Sequence, residues 1–271
     1  MLDMRDPWIH EPYEAISDGL RRHIETWIEW WVLKSCRACI FANRSIETYA
    51  RAHPRWRNKF HYISNGYDSA DFACTEPLKF DKYTIVHNGH FLPGYRTADV
   101  FLLALREVLK DKSDLTRQLQ VLLIGRSGDE KKLIDALELG SVVNSIDYLP
   151  HKESLNYLMG ADLLLLIGGS HRWEETGKIY EYLATGKPIL ALVRPDGAAA
   201  ELLQELPRVR VVDRLNVVDT AAALKEMIAI ESSDRVTKAT QSQNCTSKWE
   251  RINLTRELNR VLNDCLIRHE P

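Results

Sequence analysis

A glycine and a lysine open the stretch Thr176–Leu190, TGKIYEYLATGKPIL, and a glutamate follows the lysine three residues later. If a helix starts at Gly177, its free N–H groups and partial positive charge suit a phosphate. Lys178 adds a mobile cation there, and Glu181 lies on the same face. A carboxylate accepts hydrogen bonds from sugar hydroxyls and repels phosphate. The pattern therefore reads as phosphate at the helix tip with a polyhydroxylated group alongside. An ordinary capped helix with an exposed Lys–Glu pair has the same local pattern, so the surrounding elements must decide.

From Phe80 onward, strands and helices alternate. Strands are expected at Tyr83–Asn88, Leu119–Gly125, Ser145–Leu149, Leu163–Gly168, Pro188–Val193 and Val209–Val212. Helices are expected near Ala98–Lys110, Asp129–Leu139, Lys152–Met159, Gly177–Thr185, Ala198–Glu205 and Val217–Glu231, with a last one from Trp249 to Leu266. Runs such as VLLIG and LLLLIG are apolar throughout, as in strands covered on both faces. This alternation predicts an α/β fold with a Rossmann-like, doubly wound parallel sheet. Ligands of such sheets bind at the carboxyl ends of the strands. Four loops fall there: His87–Phe91 leading to Arg96, Gly125–Gly128, Leu149–His151, and Gly168–His171 running into Thr176–Lys178. All carry small residues, a base, or both. Cations beside glycine-rich turns suit pyrophosphate, which favours Arg96 and Lys178. His90 and His151 are either ligand contacts or satisfied loop residues. Neither G-x-G-x-x-G nor a P-loop pattern is present.

The first seventy residues differ in character. Pro7–Lys34 reads as helical. Its Trp27, Trp30 and Trp31 share one face, which either packs on a domain, the commoner use, or lies in a membrane interface. Short strands are expected at Ala38–Ala42 and Phe60–Ser64, a helix at Ser45–Ala52 and a turn at Asn65-Gly66. Asp3, Arg5 and Asp6 read as a polar loop. Cys36 and Cys39 form a C-x-x-C, read as two helix-face thiols rather than a redox or zinc motif. The chain's five cysteines, an odd count, argue against a disulfide framework and for a reducing cytoplasm. A net charge of −2 over 271 residues leaves no electrostatic footprint for nucleic acid. No apolar run approaches the roughly 20 residues that span a bilayer.

Taken in order, these motifs resemble the retaining GT-B glycosyltransferases of the family 4, "group 1" kind. Asp3–Trp8 resembles the D-x-R-D-P-W of their N-terminal domain, and Ile63–Asp68 the N-G-x-D at the crossover between domains. Gly89–Arg96 resembles the segment that holds the donor phosphates. Ala161-Asp162 with Thr176–Leu190 resembles an A-D strand followed by K-x-x-E-Y-x-A-x-G-x-P. The sequence departs from the family at Trp173, eight positions before Glu181, where better-known members carry a first glutamate, with Glu174 and Glu175 adjacent. It departs again at His90, where many members have arginine.

The resemblance implies a donor site for a nucleotide-diphosphate sugar, with no cofactor and no metal. Glu181 would bind ribose. Lys178, Arg96 and the backbone near Gly89 and Gly177 would hold pyrophosphate, with His90 and Thr176 beside them in the donor site. The turns at Gly125–Arg126 and Leu149–His151, with Pro150 and His151 in the site, would hold the base. No residue stands out as a catalytic nucleophile or base. The implied domains are residues 1–75, a remnant of an acceptor domain with the crossover; 76–246, the nucleotide-sugar domain; and 247–271, a helix packing back toward the first. The chain is then expected to be truncated, or half of a split enzyme with a complementary N-terminal chain. The acceptor would be a glycan or lipid-linked, with peripheral membrane contact compatible. The alternatives are a non-catalytic nucleotide-sugar-binding subunit and a nucleotide-sugar 2-epimerase.

Overall fold

Two parallel sheets organise the chain in the computed structural model, which describes residues 1–10, 19–110, 113–126, 128–233 and 246–267. The smaller comprises β1 (Leu2–Met4), β2 (Cys39–Phe41) and β3 (Phe60–Tyr62), in that order. One face packs Met4, Cys39, Phe41 and Phe60 against Leu33, Tyr49 and Trp56. Leu33 belongs to α1 (Leu20–Ser35) and Tyr49 to α2 (Ser45–Ala52). Lys59 donates to the carbonyls of Leu33, Lys34 and Cys36 at 3.2, 2.9 and 2.8 Å. A cation so placed satisfies orphan carbonyls at the end of α1 and complements its dipole.

The helix α3 (Ser69–Ala73) leads to the larger sheet. Its strands are β4 (Tyr83–Asn88), β5 (Leu119–Ile124), β6 (Val143–Ile146), β7 (Leu163–Ile167), β8 (Ile189–Val193) and β9 (Val209–Asp213). They run parallel in the order β6-β5-β4-β7-β8-β9, the doubly wound arrangement with its switch point between β4 and β7. Successive residues feed opposite cores, as a period of two requires. Val121, Leu123, Leu163 and Leu165 join α4 (Asp99–Leu109) and α10 (Val217–Ser233) on one side. Leu122, Ile124, Leu164 and Leu166 join α7 (His151–Gly160), α8 (Gly177–Thr185) and α9 (Ala198–Leu203) on the other. The short α5 (Ser113–Gln118) and α6 (Glu130–Ala136) flank β5.

The final helix, α11 (Arg251–Ile267), returns to the small sheet. There Val261 and Leu258 cover Ala38 and Ile40, and Arg37 donates to the Cys265 carbonyl at 2.9 Å. The Asn65-Gly66 turn carries this crossing. Tyr67 N–H donates to Trp249 O at 3.1 Å, and Arg251 N–H to Tyr67 O at 2.8 Å. A Cβ on Gly66 would overlap that Trp249 carbonyl.

Several expectations are corrected. The Asp3-bearing polar loop includes strand β1. Strand β6 starts at Val143 rather than Ser145, because Val142 and Val143 enter the core while Tyr148 is exposed in the following loop. The helix expected to reach Leu139 stops at Ala136, before the left-handed Glu138. Within Pro7–Lys34 the helix begins at Leu20, and residues 11–18 lie outside those described. Among the described residues the tryptophan face stays largely exposed: Trp27, Trp30 and Trp31 are 64%, 40% and 55% exposed, with Trp30 meeting Trp56 at 5.9 Å between ring centroids, while α1 buries Glu29 and Leu33. Cys36 caps α1 and Cys39 lies on β2, so they share no helix face. Both thiols are free, and burial pushes both pKa values up.

Gly125 has φ +141°, and a Cβ there would overlap the Gly89 carbonyl. Gly125→Ala is expected to destabilise the protein by about 2–4 kcal/mol, combining backbone strain with displacement of the β4 loop. Gly140→Ala, with open space at the Cβ position, is expected to stay within about 0.5 kcal/mol of wild type. Urea unfolding of both variants checks the contrast.

Candidate functional site

The switch point brings the loops after β4, β5 and β7 beside the N-termini of α7 and α8. Two hydrogen bonds hold the strand ends in register: Gly89 N–H to Ile124 O at 2.8 Å and Gly125 N–H to Ile146 O at 3.0 Å. Tyr182 pins α8 to them, its hydroxyl accepting from Asn88 N–H at 2.8 Å and reaching Leu165 O at 3.4 Å. His87 is buried beneath the same loop. Its Nδ1 lies 2.8 Å from Leu165 O, so that nitrogen carries the hydrogen. Burial is the main reason its pKa falls to about 3, so it is neutral at physiological pH. The buried Nε2 has no hydrogen-bond partner among the described residues and faces Gly89. Sequence reasoning noted His87 only as part of a loop. An apolar run ending in histidine was the available signal.

Thr176 caps α8 in extended geometry, and Gly177 starts the helix with open space where a Cβ would be. The Lys178 stem crosses Gly89, its Cε 3.6 Å from where a Cβ on that glycine would stand. Burial lowers the Lys178 pKa below its ordinary 10.5; Glu181 opposes the shift and Arg96 adds to it. Three charged groups therefore feel one another across the crevice. Glu181, 22% exposed, has Oε1 3.2 Å from His151 Nε2 and so bridges α8 to α7. His90 Nδ1 accepts from Arg126 N–H at 3.1 Å. Pro150 caps α7 and is exposed, as His151 is. Ser127, inside the Gly125–Gly128 loop, lies outside the described residues.

These contacts join Gly89, His90, Gly125, Arg126, His151, Lys178 and Glu181, with Thr176, Gly177 and Pro150 at the adjoining helix starts. Arg96 behaves differently. It forms a buried ion pair with Glu174, which Tyr95 also contacts at 2.5 Å. One guanidinium nitrogen is thus committed to a carboxylate, whereas the buried Nε has no partner among the described residues. Removing one member of such a pair costs about 3–5 kcal/mol.

The neighbouring Glu175 ties this region to the small sheet. Its Oε2 accepts from Tyr62 at 2.5 Å and Tyr180 at 3.0 Å, and Arg44 Nε lies 3.6 Å from Oε1. The slot of the absent first glutamate, Trp173, is buried and stacks on His171 at 5.1 Å between centroids. Two residues of the other family-like motifs act structurally. Asp162 accepts from Thr84 N–H at 2.9 Å, and Asp68 caps α3 by accepting from Ala70 N–H at 3.0 Å. Asp6 lies within electrostatic reach of Glu174. Burial is the leading cause of its raised pKa, with Arg5 opposing and Glu174 adding. That places the D-x-R-D-P-W segment near the crevice.

Three solved structures share this architecture. HepE from Anabaena, in complex with UDP, superposes with a TM-score of 0.66 at 16% identity, over 86% of this chain and 65% of that one. Sucrose-phosphate synthase from Thermosynechococcus elongatus gives 0.68 at 16%, over 94% and 65%. A glycosyltransferase from Rickettsia africae gives 0.66 at 15%, over 93% and 69%. The fold is GT-B. No protein-family model matches the sequence, and no curated protein does. The chain spans 65% of the length of HepE and of the synthase.

The Glu175 clamp predicts a pH signature. Burial raises its carboxyl pKa above the ordinary 4.5, while its tyrosine hydrogen bonds and Arg44 oppose the rise. As pH rises, the unfolded chain loses this proton first. The stability carried by the protonated form is full below pH 4.5 and is lost through the raised folded value. Glu175→Gln, which mimics the protonated form, is expected to gain stability relative to wild type across that window. Parallel urea titrations at stepped pH check it, and a flat difference would refute the assignment.

Proposed function

We propose that the chain is the donor-binding part of a retaining glycosyltransferase whose donor is a nucleoside-diphosphate sugar. The observation that carries this reading is the convergence of Lys178, the open α8 N-terminus and the Gly89 loop at the switch point of a GT-B sheet. A half-buried ammonium with a lowered pKa gains most from a dianionic ligand that restores its charge. Lys178, the N–H groups at Gly177 and Gly89, and Arg96 through its unpartnered Nε would hold the diphosphate. Glu181, shared with His151, would take the ribose hydroxyls. The loops at Gly125–Arg126 and Pro150–His151 would flank the base. Charge developing on the leaving diphosphate would be met by preorganised cations and N–H groups, with no metal at the phosphates. HepE has been solved with UDP and with UDP-glucose, which makes uridine the first base to test.

Residues 1–75 would contribute the acceptor-side edge of the crevice, residues 76–246 the donor domain, and residues 247–271 the return helix. A complementary acceptor-binding unit, on a longer polypeptide or a separate chain, would complete the enzyme. A non-catalytic nucleotide-sugar-binding subunit is the second reading. Among the described residues no helix is long and apolar enough to cross a membrane. The exposed tryptophans of α1 suit a lipid-linked acceptor at a membrane surface.

Calorimetry with UDP-, GDP- and ADP-sugars tests the reading. One class is expected to bind, and Glu181→Ala and Lys178→Met each to weaken it about 10–100-fold, or roughly 1.4–2.8 kcal/mol. Affinity should also fall as alkaline pH removes the Lys178 proton, beginning below the ordinary 10.5. Equal binding by Glu181→Ala would remove the ribose assignment. Binding without hydrolysis or transfer to any acceptor would favour the subunit reading.

A further inference from the structure

A second cluster lies in the small-sheet unit, built from residues that the donor site does not use. His10 follows β1, Glu29 lies on α1, and His53 caps the end of α2. The Nε2 atoms of His10 and His53 are 3.3 Å apart. Glu29 Oε2 lies 3.6 Å from the first and 3.9 Å from the second. A hydrogen bond from imidazole to carboxylate would place these atoms at about 2.7–3.2 Å, so the carboxylate stands too far away to be one. The same three distances define a triangle whose centre is about 2.1 Å from every corner. That matches zinc–nitrogen and zinc–carboxylate bond lengths of about 2.0–2.2 Å.

The surroundings hold the three donors in place. The two carboxylate oxygens of Glu29 divide their duties. Oε1 accepts from Tyr49 O–H at 2.6 Å and from Ile9 N–H at 3.1 Å, which fixes the group and leaves Oε2 facing the histidines. Tyr49 is itself held by Trp8 N–H at 2.8 Å. His53 stacks on Trp56 at 5.3 Å, and His10 meets Tyr49 edge-on at 5.0 Å. Outer partners that orient a ligating carboxylate and lock imidazole planes are what a metal site requires. Glu29 is 1% exposed, and the histidine side chains are 29% and 17% exposed. Solvent therefore reaches the imidazole side and can supply a further ligand.

We propose that His10, Glu29 and His53 bind a divalent transition-metal ion, zinc foremost, through Nε2, Oε2 and Nε2, with water completing the coordination. Two imidazoles and one carboxylate favour zinc, cobalt, nickel, copper or ferrous iron over magnesium or calcium, which prefer all-oxygen sets. The ion joins three segments separated by 19 and 24 positions, at His10, Glu29 and His53. It would thereby tie the middle of α1 and the end of α2 to the segment after β1, around a small core. The site departs from the sequence expectation of no metal, and it is independent of nucleotide binding.

The test uses the untagged full chain, dialysed against excess Zn2+ and then against metal-free buffer. About one zinc per chain should be retained by plasma mass spectrometry, and Co2+ in its place should give visible d–d bands. Glu29→Gln, nearly isosteric and able to keep the Tyr49 and Ile9 hydrogen bonds, should lower affinity at least tenfold in a chelator competition, as should His53→Ala. His23→Ala, on an exposed histidine of α1, should retain the metal. Added zinc should raise the wild-type melting temperature but not that of Glu29→Gln. Below about 0.1 zinc per wild-type chain, or undiminished affinity in both ligand variants, the proposal is overturned. The wild-type measurement alone decides it if a variant fails to fold.

Discussion

The carbonyl of Gly89 occupies the space that a side chain on Gly125 would need, and the ligand edge of the large sheet depends on that approach. It lets the β4 and β5 loops meet without a side chain between them. The Gly89 N–H then reaches Ile124 O, and the Gly125 N–H reaches Ile146 O. The Lys178 stem lies over the resulting floor, and Tyr182 fixes the distance from α8 to β4. A larger residue at Gly125 would alter the floor, the lysine and the helix tip together. The strand order supplies the crevice, and this backbone contact sets how closely its two loops meet.

Charge is arranged unevenly across that crevice. Arg96 is largely neutralised by Glu174, whereas Lys178 feels Glu181 attractively and Arg96 repulsively while losing hydration. Holding two cations close is unfavourable, and the nearby glutamates only partly relieve it. A diphosphate would satisfy both at once, and preorganised cations are worth most in a site of restricted solvent access. The Arg96–Glu174 pair gives the segment around Trp173 a fixed place beside the β4 loop. The carboxylate one position later reaches the β4 loop, while Trp173 fills buried space.

Much of the large sheet was legible because its strands are covered on both faces. VLLI and LLLLI have one plausible environment, and the helix Gly177–Thr185 was bounded by its own glycines. Illegible were the features decided by partners far along the chain. Arg96 meets Glu174 across 78 positions and Tyr62 meets Glu175 across 113, so no local pattern announced either pair. Periodicity placed Trp27, Trp30 and Trp31 on one face correctly but could not say whether anything covered it. Strand β1 has the charged Asp3 between Leu2 and Met4, whereas the equally short β2 and β3 sit in apolar or aromatic runs, so only those two read as strands. A buried neutral histidine such as His87 and a ligand-facing one look alike in sequence.

The two sheets communicate through polar contacts more than through a shared apolar core. The clusters on either side of the large sheet are separate from the one beneath the small sheet. Across the junction, Tyr62 from β3 and Tyr180 from α8 meet on the same oxygen of Glu175, and Asn65 reaches the Glu175 carbonyl at 3.4 Å. Hydrogen bonds are directional where apolar packing is not, so this junction fixes an angle as well as a distance. The residue it fixes lies two positions before the start of α8. The helix tip proposed to receive the diphosphate is therefore oriented from both sides: by the Tyr182 contact with its own sheet, and by Glu175 with the other. A change in the small sheet that moved Tyr62 would reach Lys178 through fewer than four residues of backbone, without passing through either hydrophobic core.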